Sequence, residues 1–268
     1  MSDNDERPDP SGTGGADGAG ATSSARPSVD GDAAVVAGAE RPSERVPLSR
    51  PRIVEAALDH LEDDGLPTLT MRNLGSRLGV EAMSLYRYVP GKEELLDAVV
   101  ERLLTDMRAD DDVLDRPENG WQDFLQRLAH GVRRVAIAHP AAFPLIASRP
   151  PEAPWLRPPL RSLDWVEVFL AGLKQEGFSD TGAVEAYRAF TSFLLGNLLL
   201  EAATLGADLG PLDVLDDDEA DDERIAEFPT VMRLRRGLGE DHASTEFEEA
   251  LEDLLTRIHL IKNRSQDA

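Results

Sequence analysis

The chain has no cysteine, which excludes disulfides, thiolate zinc sites and a cysteine nucleophile, and fits a reducing cytoplasm. The opening MSDNDERPDP lacks a basic start followed by an apolar run, so no export signal is expected. The greasiest window, Phe193 to Leu205, is interrupted by Asn197 and Glu201, so no membrane-spanning helix is expected either. Positive charge is scarce: 28 basic against 51 acidic residues leave a formal charge of -23 on 268 residues. Such a balance argues against wrapping nucleic acid extensively, and any DNA contact must be small and focused. Catalytic constellations are missing too. The five histidines, His60, His130, His139, His242 and His259, fall on different segments without a pair at i, i+4, and no G-x-S-x-G, Walker or dinucleotide motif occurs. The expectation is a non-enzyme in the cytoplasm that carries no metal and no cofactor.

What is present is enough apolar material, 41% of residues, for a sizeable core. Residues 1–45 hold scarcely a large apolar side chain among their Gly, Ser, Ala, Pro and Asp, so a disordered tail is expected. From Ser49 the pattern turns helical, with Ile53, Ala57 and Leu61 on one stripe until Asp63-Asp64-Gly65 stops it. Thr70 is a plausible N-cap for a helix Met71 to Leu78, and helices are expected over Lys92 to Met107, Trp121 to Ala138 and Trp155 or Leu160 to Glu176. Two more follow, Asp180 to about Leu205 and Glu246 to Ile261. Both carry more apolar residues than one stripe accommodates. Between them an acidic loop is expected over about 206–240. Its run Asp213 to Glu227 sets nine acids against Arg224 alone, without the alternate ligands and central glycine of a calcium loop. The fold class is all-α.

The most informative stretch is TMRNLGSRLGVEAMSLYRYVPGK, Thr70 to Lys92. Leu74 and Leu78 share a helix face, Leu85 and Val89 repeat the spacing, and Gly79 between them can take the left-handed conformation that ends a helix. This reads as a helix-turn-helix. With Leu85 and Val89 inward, the second helix presents Ala82, Met83, Ser84, Tyr86 and Arg87, a face suited to a major groove. Arg72, Arg77, Arg87 and Lys92 surround it against the single carboxylate of Glu81, a locally basic patch on an acidic chain. Tyr86, Tyr88 and Thr70 are expected to offer hydroxyls to phosphate. Lys92 opens a helix, where a cation opposes the dipole, so a bound phosphate would explain its place.

GLPTLTMRNLGSRLGV followed by SLYRYVPGKEELLDAV resembles, in uninterrupted order, the DNA-binding head of the tetracycline-repressor family of bacterial regulators. KQEGFSDTGAVEAYRAFTSFLLGN, an acidic loop and a final amphipathic helix resemble the ligand domain of its tetracycline-binding subgroup. The resemblance implies a helix-turn-helix head over 46–108 and a ligand-binding and dimerisation domain over 109–268. It further implies a homodimer on a palindromic double-stranded DNA operator, repressing until a small, largely apolar effector releases it. Effector contacts would come from Phe143, Trp165, Phe169, Phe190 and Asn197. The subgroup's magnesium-chelating histidine has no counterpart in FPLIASRP, which argues against tetracycline. The alternative is an all-helical protein-interaction module without sequence-specific DNA binding.

Overall fold

The computed structural model describes residues 47–158, 161–207 and 226–264. The expected tail and the acidic run up to Arg224 lie outside them. Among the described residues there are ten α-helices and no strand: α1 Arg50–Asp64, α2 Met71–Leu78, α3 Ala82–Leu85, α4 Lys92–Ala109, α5 Trp121–Ala138, α6 Pro144–Ser148, α7 Leu163–Gln175, α8 Asp180–Thr204, α9 Pro229–Leu238 and α10 Ala243–Arg264. None is long and apolar enough to cross a membrane.

Caps set many of these boundaries. The hydroxyls of Ser49, Thr70, Ser162 and Ser179 accept N–H bonds from the first turns of α1, α2, α7 and α8. A cap of this kind contributes about 1 kcal/mol. Gly65 and Gly79 follow the last residues of α1 and α2 with φ of 78° and 69°, where a side chain would be strained.

In the head α1 packs on α2 and α4, and α2 on α3. Ile53, Ala57, Leu61, Leu69, Leu74, Leu85, Leu95 and Val99 are sealed from solvent between them. Burying a leucine or isoleucine side chain stabilises by roughly 1.5–3 kcal/mol, so this small core suffices to hold three short helices. The same cluster continues without a gap along α4 into α5, α7, α8 and α10. α8 is the centre of the body, in contact with α5, α6, α7 and α10. Its burial on several sides answers to its two-sided apolar pattern. Glu201, a charge in the middle of that pattern, is held by Arg133 of α5 through a two-pronged pair at 3.1 and 2.7 Å, and the guanidinium lies 4.8 Å from the Phe247 ring centroid.

The structure corrects two expectations. The second helix of the reading unit has only one α-helical turn, after which Tyr88 and Val89 N–H both bond to the Leu85 carbonyl. The segment expected as loop to residue 240 contains α9, whose apolar side chains Val231, Met232, Leu234 and Leu238 are exposed beside Arg233, Arg235 and Arg236. The acidic residues that precede α9 masked its helical spacing.

Candidate nucleic-acid interface and effector cavity

The geometry of the head follows from the close approach of α2 and α3. A methyl group at Gly75 would lie 2.9 Å from the Val80 carbonyl oxygen and 3.1 Å from Ala82 N, so only glycine lets the turn fold back. The turn closes with Val80 N–H on the Gly75 carbonyl and Gly79 N–H on that of Ser76. With Leu85 and Val89 locked inside, Met83, Tyr86, Arg87 and Tyr88 stand exposed, and Ala82 and Ser84 are half-buried beside them. Met83, 72% exposed, is far more open than an apolar side chain gains from being.

The surrounding cations divide into two sets. Arg72 and Arg87 are exposed and have no ion pair among the described residues. Arg77 is already engaged by Asp63 and Asp64 at the end of α1, and its hydrogen bond to Asp63 raises its pKa. Lys92 donates from Nζ to the Leu66 carbonyl at 3.3 Å, so it ties the start of α4 to the turn before α2. Thr70 accepts from Asn73 N–H at 3.1 Å as the cap of α2, leaving its own hydroxyl proton available. Asn73 in turn donates to Thr68, whose hydroxyl meets His60 at 2.9 Å. His60, the buried histidine of the head, is thus a brace.

In the body a partly open apolar cavity of about 80 Å³ lies between α4, α5, α6, α7 and α8. Trp165, Phe169 and Phe190 line it, together with Leu103, Leu104 and Met107 from α4 and Ile146 from α6. Phe169 packs edge-on against Tyr187, with centroids 5.7 Å apart, and 5.2 Å from Phe190. Tyr187 and Thr191 are the hydroxyl-bearing residues of the wall, and Trp165 carries an indole N–H. Burial raises the Tyr187 pKa, and its hydroxyl donates to the Pro158 carbonyl at 3.1 Å. Phe143 is fully buried next to α6 but does not line the cavity, and Asn197 faces a separate cleft with Leu200, Leu238 and His242. Pattern reasoning reached the aromatic wall but missed its aliphatic half. Those leucines and valines sit on ordinary core-facing stripes, and only the gap between helices distinguishes them. No described cluster of His, Asp and Glu could hold a metal.

A second surface runs along α8 and α10. Phe193, Leu254 and Ile261 line an open groove between them, rimmed by Glu185, Arg188, Asp253, Arg257 and Arg264. Leu200 and Leu260 are 64% and 57% exposed on the same two helices. Ile258, by contrast, is fully buried within the protomer.

A helix-turn-helix head continuous with a helical body around an apolar cavity is the architecture of a ligand-responsive transcriptional regulator. The chain belongs to the tetracycline-repressor family: residues 53–99 match the model for bacterial regulatory proteins of the tetR family, and 115–259 the tetracyclin repressor-like C-terminal domain. The HTH-type transcriptional repressor DrrR1 of Streptomyces coeruleorubidus is 32% identical over 56% of this chain, and the match spans about half, 52%, of that relative. The tetracycline repressor protein class D of Escherichia coli is 29% identical over 78% of this chain and 88% of its own length. Among solved structures, the Streptomyces coelicolor TetR family protein ActR in complex with (S)-DNPA superposes with a TM-score of 0.57 at 26% identity, over 80% of this chain and 98% of ActR. Nothing in these likenesses favours an interaction module without sequence-specific DNA binding.

Proposed function

We propose that two copies of this chain, paired through the outer faces of α8 and α10, set two heads in successive major grooves of a palindromic operator. A small, largely apolar effector in the cavity releases them. The functional division is a head over 46–108 and a ligand-binding and dimerisation body over 109–268. Ala82, Met83, Ser84 and Arg87 face bases; Thr70, Arg72, Tyr86, Tyr88 and Lys92 position the backbone. In the body Trp165, Phe169 and Phe190 make the effector contacts, whereas Phe143 and Asn197, which lie off the cavity, do not.

The observation that carries this reading is that α4 serves both regions. Leu95 and Val99 near its start belong to the core under the head, while Leu103, Leu104 and Met107 near its end form cavity wall. An occupant that binds one tilt of α4 better than another therefore changes the spacing of the heads, and only such differential binding can do so.

The test is operator binding with a spacing control. A palindrome selected from random DNA should bind the dimer with half-site centres roughly 34–36 Å apart or a multiple of that, and affinity should collapse when a few base pairs are inserted at its centre. Indifference to the insertion would sink the two-headed arrangement. Leu200→Asp with Leu260→Asp, both exposed in the protomer, should give a monomeric mass by light scattering.

A further inference from the structure

The five-residue helix α6 is a wall of the cavity through Ile146, and it is also fastened to the head at both ends. On its N-terminal side the peptide N–H groups of Ala141 and Ala142 donate to the two oxygens of Glu62, at 3.1 and 3.0 Å. Glu62 sits in the last turn of α1, the helix that packs on α2, on which α3 rests in turn. On its C-terminal side Arg149 spreads its fork over the start of α4: Nε to Asp97 Oδ1 at 2.8 Å, Nη1 to Glu93 Oε2 at 2.6 Å and Nη2 to the Glu93 carbonyl at 3.3 Å. The other Asp97 oxygen takes Arg161 at 2.8 Å. The Asp97 links are shielded, with the side chains of Arg149, Arg161 and Asp97 12%, 20% and 25% exposed, whereas Glu93 is 72% exposed and its link to Arg149 is open to solvent.

Charge-assisted, two-pronged bonds tolerate little displacement, whereas apolar surfaces in contact can slide. Shifting α6 by an ångström stretches the Glu62 and Arg149 links together. Because one tie holds α1 and the other α4, the head has to follow as a body instead of giving way at one corner.

Resting on the effector reading above, we propose that Glu62, Asp97 and Arg149 are the positioning residues that transmit cavity occupancy to the reading head, by clamping the two ends of α6 to α1 and α4. The apolar contacts of α4 with the cavity bias its tilt; the clamp makes that tilt turn the head.

The experiment replaces the effector by a wedge. Leu194→Phe enlarges a side chain that faces the cavity from α8, and Leu128→Phe does so from α5 should the first variant fail to fold. Each is combined with Glu62→Gln and Asp97→Asn, and affinity is measured for the palindrome selected by the unmodified chain. With the clamp intact the wedge should weaken operator binding about tenfold, within the usual range of coupling between sites. With Glu62→Gln and Asp97→Asn in place, the same wedge should cost less than about twofold, and those two substitutions alone should leave operator affinity within about threefold. A merely structural role would lower affinity and thermal stability without changing the effect of the wedge. The proposal is overturned if the wedge costs the same with and without the clamp, or costs nothing with it. Failure of the unmodified chain to select any palindrome would sink the operator reading itself, a separate outcome.

Discussion

The head and the body use the same apolar residue types, yet a side chain's fate is decided over different distances in the two. In the head, spacing over four or five residues tells that Leu85 and Val89 share the inner side, where Gly79 turns and which side of α3 faces out. In the body, Phe124 and Phe169 occupy equivalent core stripes, on α5 and α7, and only their packing across helices makes one a plug and the other a wall. Local rules therefore describe the reading surface and leave the cavity underdetermined.

The sharpest way to break this contrast is to truncate side chains on both sides of it. Leu85→Ala should cost roughly 2–5 kcal/mol in urea unfolding and abolish operator binding, because the head has no slack into which to collapse. Phe169→Ala should fall below the roughly 3–5 kcal/mol usual for a core phenylalanine, since it enlarges a space already present. Equal losses would mean that the cavity closes in solution.

Glycines give the next test. Gly75→Ala, whose methyl would press on the Val80 carbonyl, should destabilise by roughly 1–3 kcal/mol, as overpacking does. Gly196→Ala on α8, with open space around it, should be neutral or stabilise by roughly 0.5–1 kcal/mol. Thermal melts of the pair check the difference.

Within the head, Arg87→Ala should cost roughly 1–3 kcal/mol on the selected operator and much less on random duplex. Lys92→Ala should weaken both alike and lower the salt slope by about one unit. Loss of the Leu66 carbonyl tie adds a drop in melting temperature that Arg87→Ala should not show.

The smallest effect concerns acid. A backbone hydrogen bond from Asp112 and the Arg134 guanidinium hold the Asp110 carboxyl below its ordinary pKa, so its contribution is present above the ordinary carboxylate range and fades as pH falls through the lowered value. Its partner Arg134 is 45% exposed, and screening there keeps the contribution small. Asp110→Asn should therefore lower the melting temperature by about a degree or less at neutral pH, and the gap should vanish once the pH is below the lowered value. A gap that persisted there would assign the effect to something other than charge.

Much of the fold was legible from caps. The ends expected for α2 and α5 match the structure residue for residue, and α1 stops at Gly65 as its sequence indicates. What escaped depends on contacts between segments. Arg77 looked like a groove cation until Asp63 and Asp64, fourteen and thirteen residues earlier, turned out to hold it. Asn197 looked like polar punctuation in a pocket wall, yet its side of α8 faces the α9–α10 junction. The helix expected over Glu246 to Ile261 carried more apolar residues than one stripe accommodates, yet the protomer itself buries Ile258 completely. In each case the partner that decided the matter lies too far away in sequence for any periodicity to register it.

The unbroken hydrophobic cluster has a bearing on how such a regulator can diversify. Because α4 is welded into both halves, cutting the chain near residue 108 and grafting another head would leave mismatched side chains across the whole length of that helix. Recombination at this boundary is therefore a poor route to new promoters. Point changes at Met83 and Arg87, which stand exposed in and just after α3, alter the target without disturbing the weld. New target sites should thus be acquired by drift on one exposed turn while the effector response is inherited intact.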